Sequence, residues 1–417
     1  MYYLRDARLP RAVFLLFCAL FFTLTFLWLA GQVLPVQAEG HGGQLGEMQP
    51  GPDEPDQPPG DQTSSPQIED ARVQKKTIYW GALISGSTYN RGNPPWDEGA
   101  IDQFEQNAGK PISILHWGQS WWRCGGSCGY QEFSAQQPQF DAMRRRGIIP
   151  LLDWSAWDSS ASRVDQPRFA LQKIIDGEHD AYIMRWAAAA RKWGQPFFLR
   201  FNWEMNGDWF PWSERVNGNH SGQYVQAWRH VHDIFRAQGA NNVTWVWCPN
   251  IVFSRAIPLD QLYPGDAYVD WTCLDGYNWG EGPPQNDRWH SFSEIFAEAY
   301  AQVLALAPGK PLMIGETASS ELGGVKAEWI KNTFGSEIPK GFPRIEAVLW
   351  FNWNTEGMQW TIESSSAAQA AFAAAIAAPY YSADRYNTIS AAPIPPHWGL
   401  TGGCEEGACV FLPQVRR

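Results

Sequence analysis

The chain has 417 residues, room for one large domain with extensions or for two ordinary domains. Charged residues make up 18% and hydrophobic residues 44%, which excludes a disordered chain, and a net charge of −11 with no basic block excludes a phosphate-tracking nucleic-acid surface. Tryptophan is the outlier at 24 copies; its flat apolar ring with one N–H donor suits cores and sugar-stacking surfaces alike.

At the N-terminus Arg5, Arg8 and Arg11 precede the apolar run "AVFLLFCALFFTLTFLWLAG", with small residues following near Ala38. This is the layout of a secretory signal over residues 1–38. The run also has the roughly 20 residues needed to cross a bilayer, so a membrane tether through residues 12–31 is the alternative to cleavage. Under both readings the positive flank stays inside and the remainder is exported, so the expected location is secreted, or extracytoplasmic and membrane-anchored. Residues 39–72, with "MQPGPDEPDQPPGDQTSSPQ", form a Pro/Gly-rich linker with almost nothing to bury. Cys18 falls in the export segment, which leaves six cysteines for an oxidising compartment: Cys124 with Cys128 and Cys404 with Cys409 have the spacing of short disulfide loops, and Cys248 with Cys273 would be the remaining pair, although six cysteines allow fifteen connectivities.

From residue 77 onward eight short apolar runs recur: "TIYWGALISG", "PISILHWGQSWW", "GIIPLLDWSAW", "PFFLRFNWEMNG", "NVTWVWCPN", "VDWTCLDGYNWG", "KPLMIGETAS" and "RIEAVLWFNWN". Apolar throughout rather than alternating, they predict strands buried on both faces. Helical spacing predicts helices between several of them, at 180–193, 222–238 and 291–306. Eight β-then-α units are the arithmetic of a (β/α)₈ barrel, here expected over residues 73–380. A doubly wound sheet is the competing architecture, but no Gly-x-Gly-x-x-Gly turn follows the first strand. Residues 381–417 are a Pro/Gly/Cys-rich extension too short for a domain, left open as packed on the barrel or free.

Chemistry in such a barrel sits at the C-terminal strand ends. There the sequence places His116, Trp117 and Trp121, then Asp153, Trp154 and Trp157, then Arg200, Asn202, Glu204, Asn206 and Trp209. Trp247 and Asn250, Asp275, Tyr277 and Trp279, Glu316, and Asn352 with Trp353 complete the ring. Acids, amides and tryptophans around a mouth suit a polysaccharide cleft. Glu204 and Glu316 each follow a fully apolar strand, and retaining glycoside hydrolysis needs two carboxyl groups about 5–5.5 Å apart. One protonates the leaving oxygen and needs a raised pKa; the other stays ionised and attacks the anomeric carbon.

The stretch "LRFNWEMNGDWFPW", together with "MIGETAS", resembles glycoside hydrolase family 26, within the retaining (β/α)₈ glycosidases. The resemblance implies Glu204 as acid/base and Glu316 as nucleophile, Tyr277 hydrogen-bonded to the nucleophile, and Trp209 and Trp353 as aromatic floors beside the cleaved bond. It implies no cofactor and no metal, a β-linked polysaccharide as partner, and a monomer. His116, Asp153, Arg200 and Asn202 complete the expected substrate-binding set, Arg200 also as a donor that orients a catalytic carboxylate. One departure stands out: the histidine usual before the acid/base is Trp203 here, which leaves Asn202 or His116 to reach the sugar 2-hydroxyl. On family frequency the expected substrate is β-1,4-mannan, with mixed-linkage β-1,3-1,4-glucan and β-1,3-xylan as alternatives. A non-catalytic carbohydrate-binding barrel and a structural envelope protein are the readings from other classes.

Overall fold

The computed structural model describes residues 76–397, apart from 162, 283–287 and 384–385. The export segment, the linker and the Cys404/Cys409 pair lie outside the described residues. Among the described residues no helix is long and apolar enough to cross a membrane.

Ten strands form one sheet: β1 (Ile78–Ile84), β2 (Ile114–Gly125), β3 (Ser127–Tyr130), β4 (Ile149–Asp158), β5 (Phe197–Phe201), β6 (Val243–Trp247), β7 (Trp271–Asn278), β8 (Leu312–Ser319), β9 (Ile345–Asn352) and β10 (Tyr381–Ser382). Eight of them, β1, β2 and β4 to β9, are parallel neighbours in chain order, and β1 pairs with both β9 and β2, which closes the barrel. The helices are α1 (Glu98–Ala108), α2 (Phe133–Arg146), α3 (Leu171–Ile175), α4 (Asp180–Trp193), α5 (Gln223–Ala237), α6 (Leu259–Leu262), α7 (Phe292–Leu306), α8 (Lys326–Asn332) and α9 (Ser366–Ile376). The fold is the (β/α)₈ barrel that the eight apolar runs predict. The helices expected at 180–193, 222–238 and 291–306 are α4, α5 and α7; α7 starts on a capping box between Ser291 and Glu294.

Strand alternation sorts the side chains into two cores. On β5, Phe197, Leu199 and Phe201 pack outward with the helices, while Phe198 points into the barrel with Ile149, Leu151, Val246, Trp271 and Met313. Arg200 therefore lies one layer above Phe198 on the inner face. The C-terminal stretch is part of this inner core. Tyr386, Ile389 and Ile394 are buried with it, β10 pairs with β1, Trp271 Nε1 donates to Ile394 O at 2.8 Å, and Ile394 N donates to Thr244 Oγ1 at 2.8 Å. The described residues of 381–397 thus plug the bottom of the barrel, the packed one of the two placements the sequence leaves open.

Among the described residues there are two disulfides. Cys124–Cys128 closes the antiparallel β2–β3 hairpin, as its spacing suggests, and Cys248–Cys273, the pair left over, joins the end of β6 to β7 inside the barrel.

Candidate active site

Above the apolar floor the inner face turns charged. Arg200 is fully buried and its guanidinium is saturated by acids from three strands. Nε and Nη2 donate to the two oxygens of Asp153 at 2.6 and 3.1 Å, Nη1 lies 2.9 Å from both oxygens of Asp275, and Nη2 donates to Glu316 Oε1. His116 Nε2 lies 2.8 Å from Asp153 Oδ2. Burial pushes Asp153 upward, but Arg200 and His116 outweigh it and hold the carboxyl below its ordinary range. Asp275 goes the other way: burial, followed by its like-charged neighbours Glu316, Glu204 and Asp153, drives it well above that range against the pull of Arg200. Gly315 makes the cluster possible. A Cβ there would come within 2.8 Å of Arg200 Nη1 and of Asp275 Oδ1, and 2.5 Å of Cys273 Sγ. The ligand atoms of His116, Asp153 and Glu316 are close enough together to hold an ion, but Arg200 already supplies the positive charge there.

Glu316 ends this layer from β8. Its Oε1 accepts from Arg200 and its Oε2 from the Tyr277 hydroxyl. Burial, then the fields of Glu316, Asp275 and Glu204, push the Tyr277 phenol well above its ordinary value, so it remains a donor at any working pH. The fields of both Glu316 and Glu204 reach this hydroxyl.

Glu204 reaches the mouth by a backbone kink after β5. Asn202 and Glu204 both have left-handed φ, 44° and 51°, a conformation that costs a non-glycine residue about 1–3 kcal/mol and is held by the surroundings. Here the restraints are Glu204 N donating to Cys248 O at 2.7 Å and Ala156 N donating to Asn202 Oδ1 at 2.9 Å. The Glu204 carboxylate accepts from Asn250 Nδ2 at 2.7 Å and from Trp209 Nε1 at 2.8 Å. Trp209 folds back over Gly207, where a Cβ would sit 2.5 Å from the indole; glycine in "EMNGDW" is thus a packing requirement.

The expected site residues fall into two sets. Glu204, Glu316, Trp209, Tyr277 and Trp353 meet at the mouth, with Trp353 43% exposed and stacked over Phe351. His116, Asp153, Arg200 and Asn202 lie beneath it, each at most 4% exposed. Arg200 holds Asp153 and Glu316, His116 meets Asp153, and Asn202 accepts from Ala156 N, so all four are tied into the structure around the carboxylates. Asn206 acts on Glu204 indirectly: it accepts from Asn250 N at 2.9 Å and donates to Asn250 O at 2.8 Å, and Asn250 holds the carboxylate. Asn250 is the functional residue that sequence reasoning left without a role; its signal was an amide directly after the strand in "VWCPN".

The profile of glycosyl hydrolase family 26 matches residues 81–332, which is more than half of the chain. The chain belongs to glycosyl hydrolase family 26. It is 38% identical over 288 residues to Endoglucanase H of Acetivibrio thermocellus, an alignment covering 67% of this chain and 29% of that one. It is 24% identical over 221 residues to the mannan endo-1,4-β-mannosidase of Bacillus subtilis, covering 52% and 51%. The chain therefore spans well under two thirds of the length of these curated relatives. The catalytic domain of the Bacillus sp. JAMB-750 family 26 endo-β-1,4-mannanase superposes with a TM-score of 0.56 at 18% identity, over 75% of this chain and 90% of that one, a likeness of fold.

Proposed function

We propose that this family 26 hydrolase is an exported, retaining endo-β-glycanase working by double displacement. The observation that carries this reading is the unequal company of its two glutamates. Glu316 accepts from a buried guanidinium and a phenol, partners that favour an anion, so it attacks the anomeric carbon. Glu204 accepts from neutral donors, Asn250 and Trp209, and protonates the departing glycosidic oxygen. In the second half-reaction Glu204 takes a proton from water, which then releases the glycosyl group from Glu316 with net retention. Tyr277 keeps the nucleophile oriented in both halves, and Asp153 and Asp275 keep Arg200 in place.

The polymer we infer is a β-glucan, with a β-1,4 or mixed β-1,3-1,4 backbone. Endoglucanase H, at 38% identity, is named for glucan. Trp203 supports the same substrate: it presents an apolar indole beside Glu204, and a β-glucosyl ring, with all its hydroxyls equatorial, offers C–H faces to stack on it. An axial 2-hydroxyl, as in mannose, roughens one face. β-1,4-Mannan is the second reading, supported by the Bacillus subtilis mannosidase at 24% identity. Reducing-end release by a 39–417 fragment is the test, on β-glucan, mixed-linkage glucan, β-mannan, glucomannan, β-1,4-xylan and β-1,3-xylan. Release from the glucans first, with the β-anomer appearing first by NMR, is expected; exclusive action on mannan would transfer the assignment to the second reading. Glu316→Ala should lower turnover by at least about a thousand-fold with an unchanged unfolding curve. Near-normal activity in that folded variant would remove Glu316 as nucleophile.

A further inference from the structure

Beside the two glutamates, on the side of β2 and β4, lies a cavity of about 350 Å³ that none of the mouth residues Glu204, Glu316, Tyr277, Trp209 and Trp353 lines. Its origin is the same strand alternation that builds the charged layer. Two residues beyond His116 on β2 comes Gly118, and two beyond Asp153 on β4 comes Ser155, both on the inner face, and both line the cavity. Gly118 leaves room, and Ser155 offers a hydroxyl that makes no hydrogen bond to another described residue although the residue is only 1% exposed. Three tryptophans complete the lining: Trp157 at the end of β4, Trp203 before the acid/base, and Trp96 from the segment before α1.

These indoles differ from those of the core in their exposure and in the concave space they face, since the core tryptophans Trp80 and Trp121 also carry N–H groups without a partner among the described residues. Trp154 and Trp186 are completely buried and their N–H groups donate to Tyr182 and Gln119. Trp157 and Trp203 are half-buried and Trp96 is 53% exposed; none of the three N–H groups has a partner among the described residues. Apolar surface and unused donors left facing a concave space are what a polar ligand with an apolar face requires. Trp203 links the space to the chemistry, because its ring packs 5.2 Å from the guanidinium of Arg200, which holds Glu316. The far wall is stiff: the β2–β3 hairpin is closed by Cys124–Cys128, and Arg168 stacks on Trp122 at 3.6 Å.

We propose that the cavity lined by Trp96, Trp157, Trp203 and Ser155 is a sugar subsite, receiving one pyranose unit of the polymer near the cleaved bond, stacked on indole and bonded through the free N–H and hydroxyl donors. This rests on the glycanase reading and adds where the chain runs and which residues grip it. Losing one stacking wall should cost about ten-fold in kcat/KM, about 1.4 kcal/mol.

The test compares wild type with Trp96→Ala on oligosaccharides of increasing length, taken from whichever polymer of the panel the wild type hydrolyses. Trp96 is exposed, so its truncation leaves the core intact, as an unchanged unfolding curve would verify; Trp157→Ala tests a second wall. The wild type should gain sharply in kcat/KM when the oligosaccharide becomes long enough to fill the cavity. The variants should lose that gain, falling about ten-fold on the long oligosaccharides and much less on the shortest one cleaved. The same loss at every length, or none in either variant with the wild type active, overturns the subsite and leaves the glycanase reading standing. A wild type inactive on every polymer overturns both.

Discussion

Arg200 carries one positive charge and is bonded to three carboxylates, with no water-exposed surface of its own. Only a planar fork with five N–H donors can meet Asp153, Asp275 and Glu316 at once. Lysine offers a point charge on a flexible stem and cannot span the three. Arg200→Lys should therefore leave at least one buried carboxylate short of its partner, at a cost of about 3–5 kcal/mol in unfolding free energy. It should also lower kcat by about a hundred-fold or more through the misplaced Glu316. Urea unfolding followed by tryptophan fluorescence, read beside steady-state kinetics, checks both. Loss of activity with unchanged stability would mean that Arg200 does not organise the buried layer. The two glutamates were legible in the sequence because an acid directly after an apolar strand is conspicuous. Arg200, Asp153 and His116 were visible as types but not as a layer: whether a polar strand residue faces substrate or lies under it depends on which side chains of other strands close above it.

At the scale of elements, the eight barrel strands could be read because burial on both faces removes the polar alternation that would disguise them. β3 could not. Its four residues are exposed or half-exposed and polar, and only the Cys124–Cys128 spacing marked the loop it completes. That hairpin rests on His179, directly before α4. His179 Nε2 donates to Arg168 O at 2.9 Å and Nδ1 accepts from the Tyr130 hydroxyl at 2.8 Å, so the neutral ring satisfies both neighbours. Burial lowers its pKa from the usual 6.5, with the nearby Arg168 charge acting in the same direction. The sign follows from linkage. As pH falls below 6.5 the unfolded chain takes up a proton at this position and the folded protein does not, so stability declines until the lowered folded value is reached. The slope from this group is at most about 1.4 kcal/mol per pH unit. Unfolding free energies of wild type and His179→Gln, measured from pH 7.5 to 5, should converge as the pH falls. Parallel curves would mean that His179 titrates normally. The two disulfides should also differ: loop closure over a separation of 25 residues is worth about 3.5 kcal/mol, and over 4 about 2 kcal/mol. Urea unfolding should accordingly show Cys248→Ala/Cys273→Ala to be the less stable double variant.

The described residues form a barrel stoppered at one end by its own C-terminal stretch, with Glu204 and Glu316 at the other end. The stopper was not legible. "SAAPIPPHW" has the proline content of a tail, and its few apolar residues follow no helical or strand period, so nothing local announces that Tyr386, Ile389 and Ile394 enter the inner core. The reason lies in the barrel. The inner core formed around Phe198, Trp271 and Met313 is open toward the N-terminal strand ends, and Trp271 points an indole N–H there that only a carbonyl from outside the strands can accept. Tyr79 makes the same demand, its hydroxyl donating to Pro395 O at 3.1 Å. Burying Tyr386, Ile389 and Ile394 contributes about 1.5–3 kcal/mol for each side chain, and stranding the Trp271 N–H costs about 1–3 kcal/mol more. Against a usual total stability of roughly 5–15 kcal/mol, that sum decides whether the barrel folds. A chain ending at residue 380 should therefore lose cooperative thermal unfolding or melt far below the chain that retains residues 381–417, although every proposed catalytic residue is present. Ile394→Ala in the full chain should cost about 2–5 kcal/mol and leave KM unchanged, since the plug lies at the end of the barrel away from the mouth. If the truncated chain melts like the intact one, the plug is an accessory to a barrel that closes by itself. If it fails while Ile394→Ala shows the graded loss, the last described residues belong to the folding unit of the enzyme as fully as its first strand does.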